Sequence, residues 1–142
     1  MGLTNWVLTI EYDGTRYFGF QRQRGQTTVQ AVLEAALGQA IGEPVRLTAA
    51  GRTDTGVHAV GQVVNFLTEK TLSAERIIHG ANYYLPKDVA VVAVRQAAPS
   101  FNARRSALSR QYRYRVLNRR APSPLLRKTA YHVPYELDLS AM

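Results

Sequence analysis

The 142-residue chain predicts an α+β fold of the ferredoxin-like, split βαβ kind, with a mostly antiparallel sheet and two helices packed on one face. Three observations carry that prediction. Residues 6–12, "WVLTIEY", alternate strictly, with Trp6, Leu8, Ile10 and Tyr12 on one side and Val7, Thr9 and Glu11 on the other. Two later segments show helical rather than alternating spacing. The apolar runs fall in the order strand, helix, strand, strand, helix, strand, with one more strand beyond.

Each element follows from its residues. After the first strand comes "DGTRYFGFQRQRGQ", a glycine-punctuated loop rich in aromatics and arginine. "TTVQAVLEAALGQAI" places Val29, Val32, Leu33, Ala36, Leu37 and Ala40 on one helical face, and Thr27 with Gln30 reads as a capping box at its start. "VRLTAAG" is the second strand and "GQVVNF" the third, beginning near Gly61. "SAERIIHGANYYL" is the second helix, with Ser73 as its N-cap and Pro86 beyond its end. "VAVVAVR" is apolar on both faces, which predicts a central strand. "LSRQYRYRVL" is a fifth strand with Tyr112, Tyr114 and Val116 on one face and Arg113 and Arg115 on the other. From Arg119 onward three prolines interrupt the pattern, and a helix start is suggested at Ser140. Residues 1–118 read as one α/β unit and 119–142 as a connector.

Composition narrows the function. With no cysteine, disulfides and thiolate metal sites are excluded. His58, His79 and His132 are far apart, so no metal-ligand spacing exists, and no Walker or dinucleotide loop is present. The N-terminus has no signal pattern and no apolar run reaches membrane length, which predicts a soluble, cytoplasmic protein. Net charge is +8, and half of the 18 basic residues lie between Ala97 and Tyr135, a stretch without Asp or Glu. Arginine dominates there, and its fork suits phosphate, so a polyanion is the expected partner. A merely solvated basic face is the alternative.

The chemistry concentrates in "AAGRTDTGVHAVGQVVNF" (49–66). Asp54 is a lone carboxylate in a glycine-bounded loop, with Arg52 two residues before it and His58 four after. A nearby arginine would hold the carboxylate ionised and lower its pKa, which suits a nucleophile or fixed charge rather than a general acid. An Asp that bonds its own backbone in a turn is the structural alternative. The tripeptide Asp54-Thr55-Gly56 also occurs in aspartic proteases. There, however, two such loops share a proton, and Arg52 beside the pair would spoil that sharing.

The motifs, taken together, resemble the TruA family of tRNA pseudouridine synthases. "AGRTDTGVHAVGQVVNF" resembles that family's GRTDAGVHA signature, with Thr55 as the departure. "IEYDGTRYFGFQRQ" resembles its N-terminal strand and loop, Phe20 standing where Trp is usual. "TVQAVLEAAL", "ANYYLPKDVAV" and "SFNARRSALSRQYRYRV" follow in family order, Asn102 replacing the usual His. The resemblance implies conversion of uridine to pseudouridine at positions 38–40 of the tRNA anticodon stem-loop, without a cofactor. It makes Asp54 the nucleophile, Arg52 the arginine beside it, Tyr112 the tyrosine that packs on the target base, and Arg104 an RNA-facing residue. Arg22, Arg24, Arg110 and Arg113 are further candidate RNA contacts. It also implies two similar halves per chain and a homodimer. The chain resembles the first half and the start of the connector, with no counterpart for the second half's active-site arginine. A non-catalytic RNA-binding module on the same fold is the competing class.

Overall fold

A computed structural model describes residues 2–142. The chain divides into two units, the first ending at Arg110 and the second running from Gln111 to Met142.

In the first unit the order is β1 (Thr4–Tyr12), α1 (Val29–Ile41), β2 (Thr48–Ala49), β3 (Ala59–Thr68), α2 (Ala74–Tyr84) and β4 (Val89–Ala97). The sheet order is β2-β3-β1-β4, and every neighbouring pair is antiparallel. This is the split βαβ arrangement read from the sequence. The alternation of β1 does what it predicts: Trp6, Leu8, Ile10 and Tyr12 are all buried. They meet Val64 and Phe66 of β3, Val89 and Val91 of β4, and the helical residues Val29, Leu33, Leu37, Ile41, Ile77 and Ala81. Val29, Leu33, Leu37 and Ile41 recur every fourth residue, so they form one stripe of α1. Leu33 is fully buried. Leu33→Ala should therefore cost about 2–5 kcal/mol, read as a lower urea midpoint at unchanged slope.

The opposite sheet face is partly covered by the segment after β4. Asn5 Nδ2 donates to Ala98 O (3.0 Å) and Phe101 O (2.8 Å), Asn65 Nδ2 donates to Asn5 Oδ1 (3.0 Å), and Ala103 N donates to Asn65 Oδ1 (2.8 Å). Two buried asparagines thus satisfy each other and anchor residues 98–103 on that face.

Several expectations are corrected. β4 is an edge strand, not a central one. The split topology puts β1 and β3 in the middle, and Val92 of β4 stays 47% exposed. Its valines report β-propensity rather than two-sided burial. β2 is only two residues long, because Leu47 N donates to the Glu34 carboxylate (2.9 Å) instead of a ladder. β3 begins at Ala59, before Gly61. The α1 cap is Thr28, whose side chain accepts from Ala31 N, and not Thr27. Gln30 instead accepts from Arg22 N (2.9 Å) and donates to Glu34 (3.3 Å). Ser73 caps α2 as expected.

In the second unit β5 (Val116–Asn118) pairs in parallel with β6 (Tyr131–Val133). Asn118 Nδ2 closes this pair by donating to Val133 O (2.9 Å) and Tyr135 O (2.7 Å). The fifth strand expected over "LSRQYRYRVL" is thus reduced to its end. Alternation alone does not make a strand without a hydrogen-bonded neighbour, and 111–115 lack strand structure, with Tyr112 and Tyr114 exposed. The short turn near the C-terminus, Leu139–Ala141, is capped by Asp138 rather than Ser140.

Candidate active site

Asp54 lies in the loop that joins β2 to β3, and two strand-derived anchors fix that loop's ends. Ala50 N donates to Val63 O (2.8 Å), and Gln62 Nε2 donates to Gly51 O (2.7 Å). Between the anchors the loop is held by the segment after β1. Phe20 N donates to Thr53 O (3.0 Å), Gly56 N donates to Tyr17 O (3.3 Å), and Tyr12 OH bonds Thr53 Oγ1 (2.7 Å). His58 Nδ1 accepts from Gly14 N (2.9 Å) and lies 3.2 Å from Asp13 Oδ1. Two motifs some forty residues apart in sequence are therefore zipped together. The Asp54 carbonyl closes a turn by accepting from Val57 N (3.1 Å), which leaves the carboxylate on the exposed side.

The zipper explains two glycines. A Cβ on Gly14 would sit 2.0 Å from Val57 O. Gly19 has φ of +82°, and a Cβ there would lie 2.8 Å from Thr53 O.

The loop segment 13–17 is fixed in turn from below. Asp88, just before β4, accepts from Tyr17 OH (2.6 Å) through Oδ1 and from Arg16 Nε (2.9 Å) through Oδ2. Its main-chain oxygen accepts from Asp13 N (2.9 Å). Burial works to raise the Asp88 pKa, but the Tyr17 and Arg16 hydrogen bonds and the Arg16 charge outweigh it and hold the carboxyl below the usual range. Burial, together with the bond to Asp88, pushes the Tyr17 phenol well above its ordinary value. A lowered carboxyl stabilises the fold above its unfolded pKa, and this is lost as pH falls below about 4. A raised phenol favours the fold up to its unfolded pKa, and this is lost as pH climbs beyond about 10. Neither group should add a pH dependence to stability between these limits. Asp88→Asn should flatten the acid limb, measured by thermal unfolding across pH.

The other expected site residues are distributed as follows. Arg52 and Asp54 are both exposed and form no ion pair with each other, so the expected hold of the arginine on the carboxylate is not formed. In open solvent the attraction of such a pair is small. Arg110 lies close to this loop: its Nε donates to Ala50 O, and its Nη2 donates to Arg104 O (2.9 Å). Arg104 N is received by Asn102 Oδ1 (3.0 Å), so Asn102 shapes the turn that presents Arg104 and Arg105. Arg22 pairs with the buried Glu34 at 3.1 Å, while Arg24 is exposed. Tyr112 and Arg113 belong to the second unit and are exposed. Asp13, Gly14, Tyr17 and Asp88 were not assigned roles from sequence. The Asp-Gly pair after β1 and the acid after Pro86 were the available signals. Among the described residues no group of three His, Cys, Asp or Glu could hold a metal ion, and no helix is long and apolar enough to cross a membrane.

The first unit is thus a ferredoxin-like sheet that carries an exposed carboxylate on a clamped loop, with Arg52, Arg104 and Arg110 in the same unit. Comparison with known proteins makes this specific. The family profile described as tRNA pseudouridine synthase matches residues 8–104. A tRNA pseudouridine synthase A of Roseiflexus sp. (strain RS-1) is 50% identical over 140 residues, covering 99% of this chain and 52% of the relative. The protein of the same name from Neisseria gonorrhoeae is 48% identical, covering 96% and 52%. That from Caldicellulosiruptor saccharolyticus is 44% identical, covering 99% and 57%. The chain belongs to the tRNA pseudouridine synthase family, and it spans about half the length of these relatives.

Proposed function

We propose that the chain carries the nucleophile of a tRNA pseudouridine synthase that isomerises uridine at positions 38–40 of the anticodon stem-loop. The Asp54 carboxylate bonds to the ribose C1′ as the C1′–N1 bond breaks and the base leaves with the electron pair on N1. The base turns, C5 bonds to C1′ as the carboxylate is expelled, and C5 loses its proton while N1 takes one up. No redox change or cofactor is needed, because the product is an isomer. The observation that carries this reading is the exposed Asp54 carboxylate on a loop whose backbone is fixed at Thr53 and Gly56. A nucleophile gains from such fixing because near-attack geometry lowers the barrier.

The base must leave its stack to be turned. Exposed Tyr112 is the aromatic platform for it, and Arg52, Arg104, Arg110 and Arg113, together with Arg22 and Arg24, are contacts to RNA phosphate. Residues 1–118 supply the nucleophile half, and 119–142 lead toward a second half of the kind the longer relatives possess. The complete enzyme is a homodimer acting in the cytoplasm. Tyr112→Ala should cost about 1–3 kcal/mol of substrate binding or turnover free energy, whereas Tyr112→Phe should retain most of the stacking.

The test is to incubate an unmodified tRNA transcript with the chain, alone and with a relative's second half, and to map pseudouridine by carbodiimide-dependent primer-extension stops. New stops at 38–40 support the reading, and stops elsewhere or nowhere in both arms refute it. A second reading, a non-catalytic RNA-binding module, rests on the basic, acid-free run between Ala97 and Tyr135. It requires salt-dependent tRNA binding with no modification in either arm.

A further inference from the structure

Asp88 is remote in sequence from Asp54, yet it terminates the chain of bonds that holds the Asp54 loop. All three of its oxygens are used on one short segment: Oδ1 on Tyr17 OH, Oδ2 on Arg16 Nε, and the main-chain oxygen on Asp13 N. Residues 13–20 then bond the nucleophile loop on both sides of Asp54, segment 13–17 after it and Phe20 before it. Tyr17 O accepts from Gly56 N, Phe20 N donates to Thr53 O, and Gly14 N donates to His58 Nδ1. The Asp88 side chain is 17% exposed, so its bonds are shielded, whereas Arg16 is 71% exposed and the Arg16 pair alone would be weak. The Tyr17 bond is therefore the stronger half of the clamp, being short and charge-assisted.

We infer that Asp88, acting through Tyr17, is a positioning residue for the nucleophile: it fixes segment 13–17, and that segment fixes the backbone just after Asp54, at Gly56. The inference rests on Asp54 being the nucleophile, as proposed above. It goes beyond that reading by assigning a catalytic consequence to a residue that touches no substrate. A displacement of about 1 Å at a reacting group costs on the order of 10²-fold in rate. Loss of the clamp should thus lower turnover without weakening RNA binding, since neither Asp88 nor Tyr17 belongs to the arginine-rich flank.

The test uses Asp88→Asn and Tyr17→Phe, with Asp54→Ala beside them. On the 142-residue chain, amide hydrogen exchange at Gly56 and Phe20 should rise roughly tenfold in both variants while the β1–β3 ladder exchanges as before. Unchanged exchange at Gly56 and Phe20, or equal acceleration throughout the sheet, would overturn the inference. In the pairing that modifies tRNA, kcat should fall on the order of 10²-fold with KM within about twofold. The double variant should be little worse than Asp88→Asn alone, because Tyr17→Phe removes a bond that Asp88→Asn has already weakened. Wild-type kcat in Asp88→Asn, with Asp54→Ala inactive, would overturn the positioning role alone. Full activity in Asp54→Ala would instead refute the nucleophile assignment, leaving the exchange data to judge the clamp.

Discussion

Asp54→Ala is expected to reduce pseudouridine formation by a factor on the order of 10⁴ or more, the scale on which removal of a covalent nucleophile acts. Affinity for tRNA should stay within about threefold, or improve slightly, because an exposed negative charge is removed from the proposed RNA-binding surface. Stability should change by less than about 0.5 kcal/mol, since the side chain is exposed and makes no ion pair among the described residues. Only the main-chain oxygen of Asp54 serves the turn, and alanine keeps it. The variant therefore separates chemistry from folding. It is read by single-turnover kinetics, filter binding at several salt concentrations, and urea unfolding. A stable variant that binds and still modifies would remove Asp54 from the mechanism.

The second large effect is structural in origin. Gly14→Ala should destabilise the first unit by about 3 kcal/mol and depress turnover further than that loss of stability explains. A Cβ at Gly14 would lie 2.0 Å from Val57 O and 2.7 Å from Val57 C, both backbone atoms of the Asp54 loop. Neither can yield as a flexible side-chain end would. The two loops must part, and with them goes the Gly14 N to His58 bond. Gly61→Ala is the matched control, because a Cβ there meets nothing within 4 Å. It should leave stability unchanged or slightly raised by the unfolded-state effect. Equal behaviour of the two variants would show that the loops are not in close register.

The sequence made the fold legible where side-chain period decides placement. The alternation of Trp6, Leu8, Ile10 and Tyr12 and the four-residue recurrence of Val29, Leu33, Leu37 and Ile41 each point to one buried face, and those faces meet in the core. Placement failed where a single polar side chain decides. Glu34 takes Leu47 N away from a ladder and shortens β2, an effect invisible to any periodic reading. It also receives Arg22, for which the sequence suggests an RNA contact or a solvated side chain. The edge position of β4 could not be told from its valines, because β-branched residues suit exposed and buried strands alike. At the site, the contents of the Asp54 loop were legible as residue types. Its support was not, because that support is mostly backbone to backbone, between carbonyls and amides some forty residues apart. Gly14 and Gly19 were the marks left in sequence: a glycine where a second backbone must come close.

The most direct measurement is tritium release from tRNA labelled at uridine C5, with this chain in the presence of a relative's second half. Formation of the C5–C1′ bond must expel that hydrogen. The account predicts release that reaches the number of target uridines and vanishes in Asp54→Ala. Bound tRNA that keeps all its tritium, or release that persists in Asp54→Ala, would contradict it.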